Sequence, residues 1–272
     1  MMPRLGIPWA APGAIDDSGY NAEPATPHHS SVRGSGPMDY KMFYLARRHP
    51  SVAPEDWPKH WRSHPKFVSQ FPTIGGRIEN LFYTARVYNP TIDGAAADIL
   101  LLDTEFDGVA VVSSPEDTLA GNEPQLDIFE KVMEDERRVF GDYTSNSVSY
   151  GREILVLGGE RNRAAVIRFL RHRPGLSVDE FQARWAALQD MAQAAIEAGK
   201  MSRYVHTMQC EPLTPGHEYD GVSEAWFASP EDAAKAFGDP DLAPLFDADG
   251  AFSDPGQSVT MLTETIYSWP RL

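Results

Sequence analysis

The chain has 272 residues, of which 42% are hydrophobic, and 39 acidic residues against 24 lysines and arginines give a formal net charge of -15. Its length and apolar content are enough for one large domain or two modest ones. The acidic balance argues against nucleic acid or an anionic membrane as the main partner, because both repel an acidic surface. The single cysteine, Cys210, excludes an intrachain disulfide framework and is typical of a reducing, cytoplasmic location.

The first 37 residues are rich in Pro, Gly, Ser and Ala and show neither helical nor strand periodicity. We therefore predict that residues 1–37 are a flexible N-terminal extension. Its most apolar stretch, LGIPWAAPGAI, is interrupted by prolines and glycines, whereas a secretory signal has an unbroken apolar core. Later segments do not approach the length that crosses a membrane. Met38 begins the first well-patterned segment.

The rest of the chain contains an internal repeat. The segment DGVAVVSSPED begins at Asp107, and DGVSEAWFASPED begins at Asp220. Further upstream, ARRHPSVAPEDWPKHW from Ala46 aligns without a gap with LRHRPGLSVDEFQARW from Leu170. A repeat of this length indicates duplicated structural units. The predicted domains are residues 38–159 and 164–272.

Each copy shows the same order of hydrophobic periods. In the first copy the strands are KMFYLAR, LFYTARVY, the Asp-Gly-Val segment and REILVLGG, and in the second they begin with AAVIRFLR and RYVHTMQC and end with TMLTETIYSW. Helical patterns follow the first and third strands of each copy. This order predicts an α+β fold of two tandem ferredoxin-like units, β-α-β-β-α-β each. We expect their sheets to form one α+β barrel, with space for a small ligand between sheet and helices.

The first helix of each copy has a clear apolar stripe. In the second copy Ser177 and Glu180 form a predicted capping box. The stripe that follows consists of Phe181, Trp185, Leu188, Ala192 and Ile196. The first copy starts its helix at Pro54 and places Trp57, Trp61, His64 and Val68 at the same spacing. Pro58 removes a backbone donor, so we expect a distortion there.

Comparing the two copies singles out the histidines of WPKHWRSHPKF. Trp61 aligns with Trp185, which indicates an architectural role, whereas His64 aligns with Leu188. Because leucine can fill that inward position, we interpret His64 as a candidate general acid or base; the alternative is a core histidine satisfied by a hydrogen bond. His60 and His64 have a zinc-type spacing of four residues, but no third ligand has a fixed spacing to them, so no metal site is predicted.

Neighbouring aromatic and polar residues supply further candidates. Tyr44 and Tyr83 could donate to a developing oxyanion, although an aromatic core is an equally good interpretation. Arg47 is a candidate substrate-binding residue on the first strand. In the second copy Tyr204 and His206 share a strand face and form either a second polar cluster or sheet packing. The acidic helix QLDIFEKVMEDERRVF is interpreted as structural, with one apolar and one solvated side.

Signatures of common cofactors are absent from the sequence. It contains no Gly-x-Gly-x-x-Gly after a predicted strand, no Gly-Lys-Ser/Thr phosphate loop and no Gly-x-Ser-x-Gly elbow. These absences argue against nicotinamide, nucleotide and serine-hydrolase chemistry.

Three motifs together resemble the EthD family of the dimeric α+β barrel superfamily: PEDWPKHWRSHPKFV, RYVHTMQ and YDGVSEAWFASPEDAAKAF. The resemblance covers about residues 38–269. The first copy supplies Trp61, His64 and Pro65, and the second supplies Arg203 to Val205 and the segment after Asp220. The resemblance implies ferredoxin-like units with a hydrophobic pocket. Relatives in that superfamily include cofactor-independent monooxygenases and cyclases, lactone isomerases and tandem haem enzymes.

We therefore expect a cofactor-independent enzyme acting on a small hydrophobic, aromatic or carbonyl-containing molecule, as a lyase, isomerase or oxygenase. His64 would move a proton, Tyr44 or Tyr83 would stabilise the oxyanion, and Trp57 and Trp61 would line the pocket. Two alternatives remain open at this point: a haem enzyme with a histidine such as His206 as axial ligand, and a non-catalytic binder of hydrophobic metabolites. The chain could act alone or as a homodimer.

Overall fold

A computed structural model of the chain describes residues 40–71, 78–114, 126–141, 147–210, 216, 218–247 and 250–269. The predicted extension, residues 1–37, lies outside the described residues. Within the described part of the chain, no helix combines the length and the apolarity needed to traverse a membrane.

The two halves have matching secondary structure. The first half comprises β1 (Tyr40–Ala46), α1 (Trp57–Trp61), α2 (Ser63–Val68), β2 (Asn80–Arg86), the short strands β3 (Thr91–Ile92) and β4 (Ala95–Ala96), β5 (Gly108–Ser114), α3 (Leu126–Val139) and β6 (Val148–Gly158). The second half comprises β7 (Ala164–Leu170), α4 (Val178–Ala186), α5 (Gln189–Glu197), β8 (Arg203–Gln209), β9 (Gly221–Phe227), α6 (Pro230–Ala236), a 3-10 helix (Ala243–Phe246) and β10 (Val259–Trp269).

Strands from both halves close into one antiparallel barrel in the order β1-β5-β2-β10-β7-β9-β8-β6. Within the first half the order β6-β1-β5-β2 is that of a ferredoxin-like sheet, and β10-β7-β9-β8 repeats it in the second half. Two seams, β2 with β10 and β6 with β8, join the halves. The predicted α+β barrel of tandem ferredoxin-like units is confirmed.

Alternation along the strands divides the apolar residues between the barrel interior and the helix-covered outer face. On β1, Phe43 and Leu45 belong to an interior cluster shared with Ile167 and Trp226 of the second half. The intervening Tyr44 packs in a separate cluster with residues of α1. The space between sheet and helices in the first half is therefore an aromatic layer outside the barrel.

One side of the barrel interior carries buried charges. The ammonium of Lys41 forms ion pairs with Glu153, at 2.7 Å, and with Glu224. Arg161 lies 3.8 Å from both carboxylates, and the indole of Trp226 donates to Glu224 at 3.1 Å. Lys41 and Glu224 are each 0% exposed. Burying these charges is tolerated because each has a partner of opposite sign.

The helix predicted from Pro54 onward is two short helices instead of one. The predicted distortion at Pro58 is wrong, because Pro58 lies in the first turn of α1, where a missing backbone N–H costs nothing. The interruption falls at Arg62. Pro65 cannot donate to the carbonyl of Trp61 four residues earlier. The helix predicted in the second half is also two helices, interrupted between Ala186 and Gln189 without a proline, so the break is common to both halves. In the second half the predicted capping box of Ser177 and Glu180 is confirmed.

Candidate functional site

An aromatic cluster fills the layer between α1 and the sheet in the first half. The rings of Trp57 and Trp61 stack with centroids 5.0 Å apart, and Trp61 stacks on Tyr83 at 5.1 Å. Tyr44 meets Tyr83 edge-on at 5.9 Å. Gly108 makes this packing possible, because a Cβ there would lie 2.1 Å from the Trp61 ring. Four of the sequence candidates are thus brought together: Tyr44, Trp57, Trp61 and Tyr83.

His64 joins this cluster and pairs with a carboxylate. Its ring lies parallel to that of Tyr83 at 6.2 Å and is 4% exposed. Nδ1 of His64 is 2.7 Å from Oδ2 of Asp135, which comes from α3. The other oxygen of Asp135 accepts hydrogen bonds from Arg138 at 2.6 and 3.0 Å. The histidine is therefore oriented by an acid that is itself held in place.

The protonation states in this layer follow from burial and from these partners. Burial alone would raise the pKa of Asp135, but the hydrogen bonds from His64 and Arg138 outweigh it and hold the pKa below its usual value. Burial raises the pKa of Tyr44 and that of Tyr83 far above the usual value for a phenol. At neutral pH Asp135 is thus a carboxylate, and both tyrosines are neutral donors.

Two donors of the aromatic layer meet other members of the layer without ideal hydrogen-bond geometry. The hydroxyl of Tyr44 and the indole N–H of Trp61 are buried without a well-formed hydrogen bond among the described residues. Buried polar groups are usually paired, and exceptions often mark a functional position. These groups could donate to an oxygen of a bound molecule.

Two other residues singled out from the sequence lie outside the layer. Arg47, at the end of β1, pairs with Glu105 and stacks over Phe106, with a side chain that is 35% exposed. The ring of His60 faces the carbonyl oxygen of Arg138 at 3.1 Å, whereas His64 is bonded to Asp135. The two histidines therefore have different partners and do not converge on one point.

The second half repeats the architecture with different chemistry. Trp185 packs over Gly221 as Trp61 packs over Gly108, and it stacks on His206 at 4.0 Å. His206 thus takes the place of Tyr83. Burial lowers the pKa of His206 to about 3, so its ring is neutral, and its Nε2 has no hydrogen-bond partner among the described residues. The candidates Tyr204 and His206 belong to this second layer and do not reach His64.

Residues 173–256 match the family model of the EthD domain. The match covers less than half of the chain and lies in its second half. It includes α4, α5, β8, β9 and α6, and so contains His206 and Trp185. Among curated protein sequences, no relative matches the chain significantly.

Several solved structures are similar to the chain at low sequence identity. A protein from Fusobacterium nucleatum subsp. nucleatum ATCC 25586, provisionally assigned as a monooxygenase, is 5% identical with a TM-score of 0.53, and the match covers 85% of this chain and 94% of that one. An anthrone oxidase-like protein is 11% identical with a TM-score of 0.49, covering 86% and 93%. A variant of chlorite dismutase from Candidatus Nitrospira defluvii is 13% identical with a TM-score of 0.44, covering 84% and 90%.

Among the described residues of the matched segment, His206 is the candidate haem ligand, and its surroundings do not fit the group. A haem would need open space at Nε2. The ring of Trp185 covers His206 on one face, Tyr204 lies edge-on at 4.8 Å, and His206 is 1% exposed. As the described residues are packed, a macrocycle cannot approach this nitrogen. We derive no step through haem.

A metal centre finds no support among the described residues either. Within them, no group of three or more His, Cys, Asp or Glu side chains converges in a way that could hold a metal ion. The His60 and His64 spacing therefore does not gain a third ligand from this part of the fold.

A cleft of about 490 Å³ lies beside the layer and is lined by residues including His60, Ser63 and Arg138, but not by His64.

Asp135 is the residue of the candidate site that the sequence interpretation missed. The helix that carries it was assigned a structural role, with its charges in solvent. The spacing does contain a signal. Ile128, Val132, Asp135 and Val139 follow one another at intervals of four, three and four residues, so Asp135 lies on the apolar stripe of the helix. An acidic residue inside an apolar stripe requires a buried partner. Here that partner is His64.

Proposed function

We propose that this protein is an enzyme that removes a proton from a small, largely apolar aromatic or carbonyl-containing molecule, with His64 as the base. The observation that carries the proposal is the buried 2.7 Å contact between Nδ1 of His64 and Oδ2 of Asp135. The aligned position of the second half holds Leu188, so the fold does not require a histidine there. A histidine oriented by a carboxylate is the arrangement found in general base catalysis.

The pair fixes which ring nitrogen can act. Because the pKa of Asp135 is lowered, its carboxylate can only accept a hydrogen bond at neutral pH. Nδ1 of His64 must then carry the proton. In the neutral ring, Nε2 is left with a free lone pair and becomes the base. The positive charge that His64 acquires during the reaction is stabilised by Asp135.

Tyr44 and Tyr83 would stabilise the product of proton removal. Taking a proton from a carbon beside a carbonyl, or from a phenol, places negative charge on an oxygen. Since both phenols remain protonated, they are donors suited to such an oxyanion. Trp57 and Trp61 supply flat apolar surface against which an aromatic substrate can lie. The proposed mechanism uses only the chain's own residues.

A substrate must displace part of the helix layer to reach His64. Helices α1 and α2 have five and six residues, and neither has a side-chain cap at its N-terminus. In the second half α4 has nine residues and a complete capping box. Short uncapped helices open more readily than longer capped ones. We therefore propose that α1 and α2 are the segment that admits the substrate.

The first assay should measure the step common to lyase, isomerase and oxygenase outcomes. We would incubate the protein in D2O with anthrones, phenols and 1,3-dicarbonyl compounds and follow deuterium incorporation by NMR. Oxygen uptake would be recorded in parallel, since the Fusobacterium protein is provisionally assigned as a monooxygenase. Removing the base in His64→Gln should slow exchange by roughly 100-fold or more. Asp135→Asn should slow it less, because Nε2 remains present but the favoured tautomer changes.

Two histidines serve as matched controls. His60→Gln changes a histidine of the same segment whose ring faces a backbone carbonyl, and His206→Gln changes a buried histidine of the segment that matches the EthD family model. Both variants should retain the wild-type rate if they fold, which circular dichroism would verify. Exchange in folded His64→Gln at the wild-type rate would refute the assignment. Tight binding of a compound without exchange by the wild type would instead favour the non-catalytic binder.

A further inference from the structure

A second candidate site lies at the seam between the halves, away from the His64 pair. A cleft of about 380 Å³ opens where β2 meets β10. Residues from both halves line it, among them Arg62, Arg86, Arg163, Glu264 and Thr265. This volume lies within the range of sites for small molecules.

The cleft is positive although the protein is strongly acidic. It gathers Arg62, Arg86 and Arg163, and among the described lining residues Glu264 is the one acidic side chain. The formal charge of the lining is therefore positive in a chain whose net charge is -15. Convergence of arginines in a concave site raises the local concentration of anions.

Hydrogen bonds or an ion pair orient each of the three arginines, and each guanidinium keeps further N–H donors for a ligand. Nε of Arg62 donates to the carbonyl of Ile266 at 2.7 Å, and Nη1 of Arg86 donates to the carbonyl of Thr104 at 2.7 Å. Arg163 pairs with Glu264. Each guanidinium has five N–H groups, so these bonds orient the side chain without exhausting it.

Thr265 of the lining carries a buried polar atom, its Oγ1, that the described residues leave without a partner. The β2–β10 register is irregular between Thr265 and Tyr267, so a bulge sets this stretch of β10. A buried hydroxyl that the fold leaves unpaired is explained if a bound molecule or water completes it.

We propose that this cleft binds a small molecule through a carboxylate or phosphate group. Guanidinium groups match the planar or tetrahedral oxygens of such anions with paired hydrogen bonds. Pro58 and Arg62 belong to the α1–α2 segment, but neither His64 nor Asp135 lines the cleft, so the proposal does not rest on proton transfer at His64.

Isothermal titration calorimetry on the full chain tests the proposal, with phosphate, pyrophosphate, succinate and citrate as probes at constant ionic strength. Saturable millimolar or tighter binding of at least one probe is expected, and the probe type that binds distinguishes phosphate from carboxylate recognition. Arg163→Gln, at a side chain 69% exposed, should weaken binding roughly tenfold. Glu264→Gln should strengthen it, because it removes the competing carboxylate and releases Arg163.

Arg184→Gln is the matched control, because Arg184 is an exposed arginine bonded to the carbonyl of Ala251 and does not line the cleft. The Arg184→Gln variant should bind the probe that the wild type binds with the same affinity as the wild type. The proposal is overturned if none of the probes binds saturably, or if Arg163→Gln and Glu264→Gln leave the affinity of the bound probe unchanged. Thermal denaturation without ligand verifies that each variant folds.

Discussion

Replacing Glu224 by glutamine should destabilise the protein by an amount that depends on pH. Burial alone would raise the pKa of Glu224, but the charges of Lys41 and Arg161 outweigh it and lower the pKa from 4.5 to about 2. A group with a lowered folded pKa contributes stability above its unfolded pKa, and this contribution is lost as the pH falls toward the folded value. The contribution is about 3 kcal/mol at pH 7 and roughly 1 kcal/mol at pH 3.

Urea denaturation followed by tryptophan fluorescence, at pH 7, 5 and 3, measures this difference between the wild type and Glu224→Gln. Glu264→Gln removes a carboxylate from a surface pair and serves as the control, with an expected loss of no more than about 1 kcal/mol at each pH. The reasoning is refuted if Glu224→Gln is as stable as the wild type at pH 7, or if its loss of stability is the same at pH 7 and pH 3.

Three further predictions concern the second half. Gly221→Ala places a Cβ 2.4 Å from the Trp185 ring, so thermal denaturation should show a loss of about 2 kcal/mol. Ser177→Ala disrupts the capping box with Glu180 and should lower the free energy of unfolding, measured by urea denaturation, by about 1 kcal/mol. An unchanged free energy of unfolding would contradict this. Burial lowers the pKa of His206 to about 3, so the wild type should lose stability as the pH falls from 6.5, by roughly 2 kcal/mol at pH 5. His206→Phe should abolish that loss, and an unaltered pH dependence would contradict it.

The fold could be predicted because the two copies of the internal repeat can be compared with each other. The duplicated Asp-Gly-Val segments fix the third strand of each unit, and the aligned Trp61 and Trp185 identify the helix face that packs on the sheet. Both glycines of these segments lie under those tryptophans. Local periodicity and an internal repeat therefore determine the element order and the layer in which the aromatic candidates lie.

The partner of His64 could not be predicted in the same way. Asp135 is 71 residues away, and nothing local to either residue specifies which turn of α3 packs over α2. The arginines of the cleft are likewise brought together by the seam between β2 and β10, a pairing between strands of different halves. Strand register across such a seam depends on closure of the whole barrel, which sequence periodicity does not encode.

Closure of the barrel within one chain has a consequence for how the two halves can change. If the same sheets belonged to two identical subunits, dilution would dissociate the subunits and open both seams. Any substitution would then be present in the helix layers of both subunits. The link from β6 to β7 makes seam formation intramolecular, so the barrel's integrity is independent of protein concentration. Because the two halves have separate sequences, the first half can contain His64 and Asp135 while the second half has Leu188 at the position of His64. Two copies in one chain thus allow the helix layer of one half to differ from that of the other while both contribute to the shared sheet.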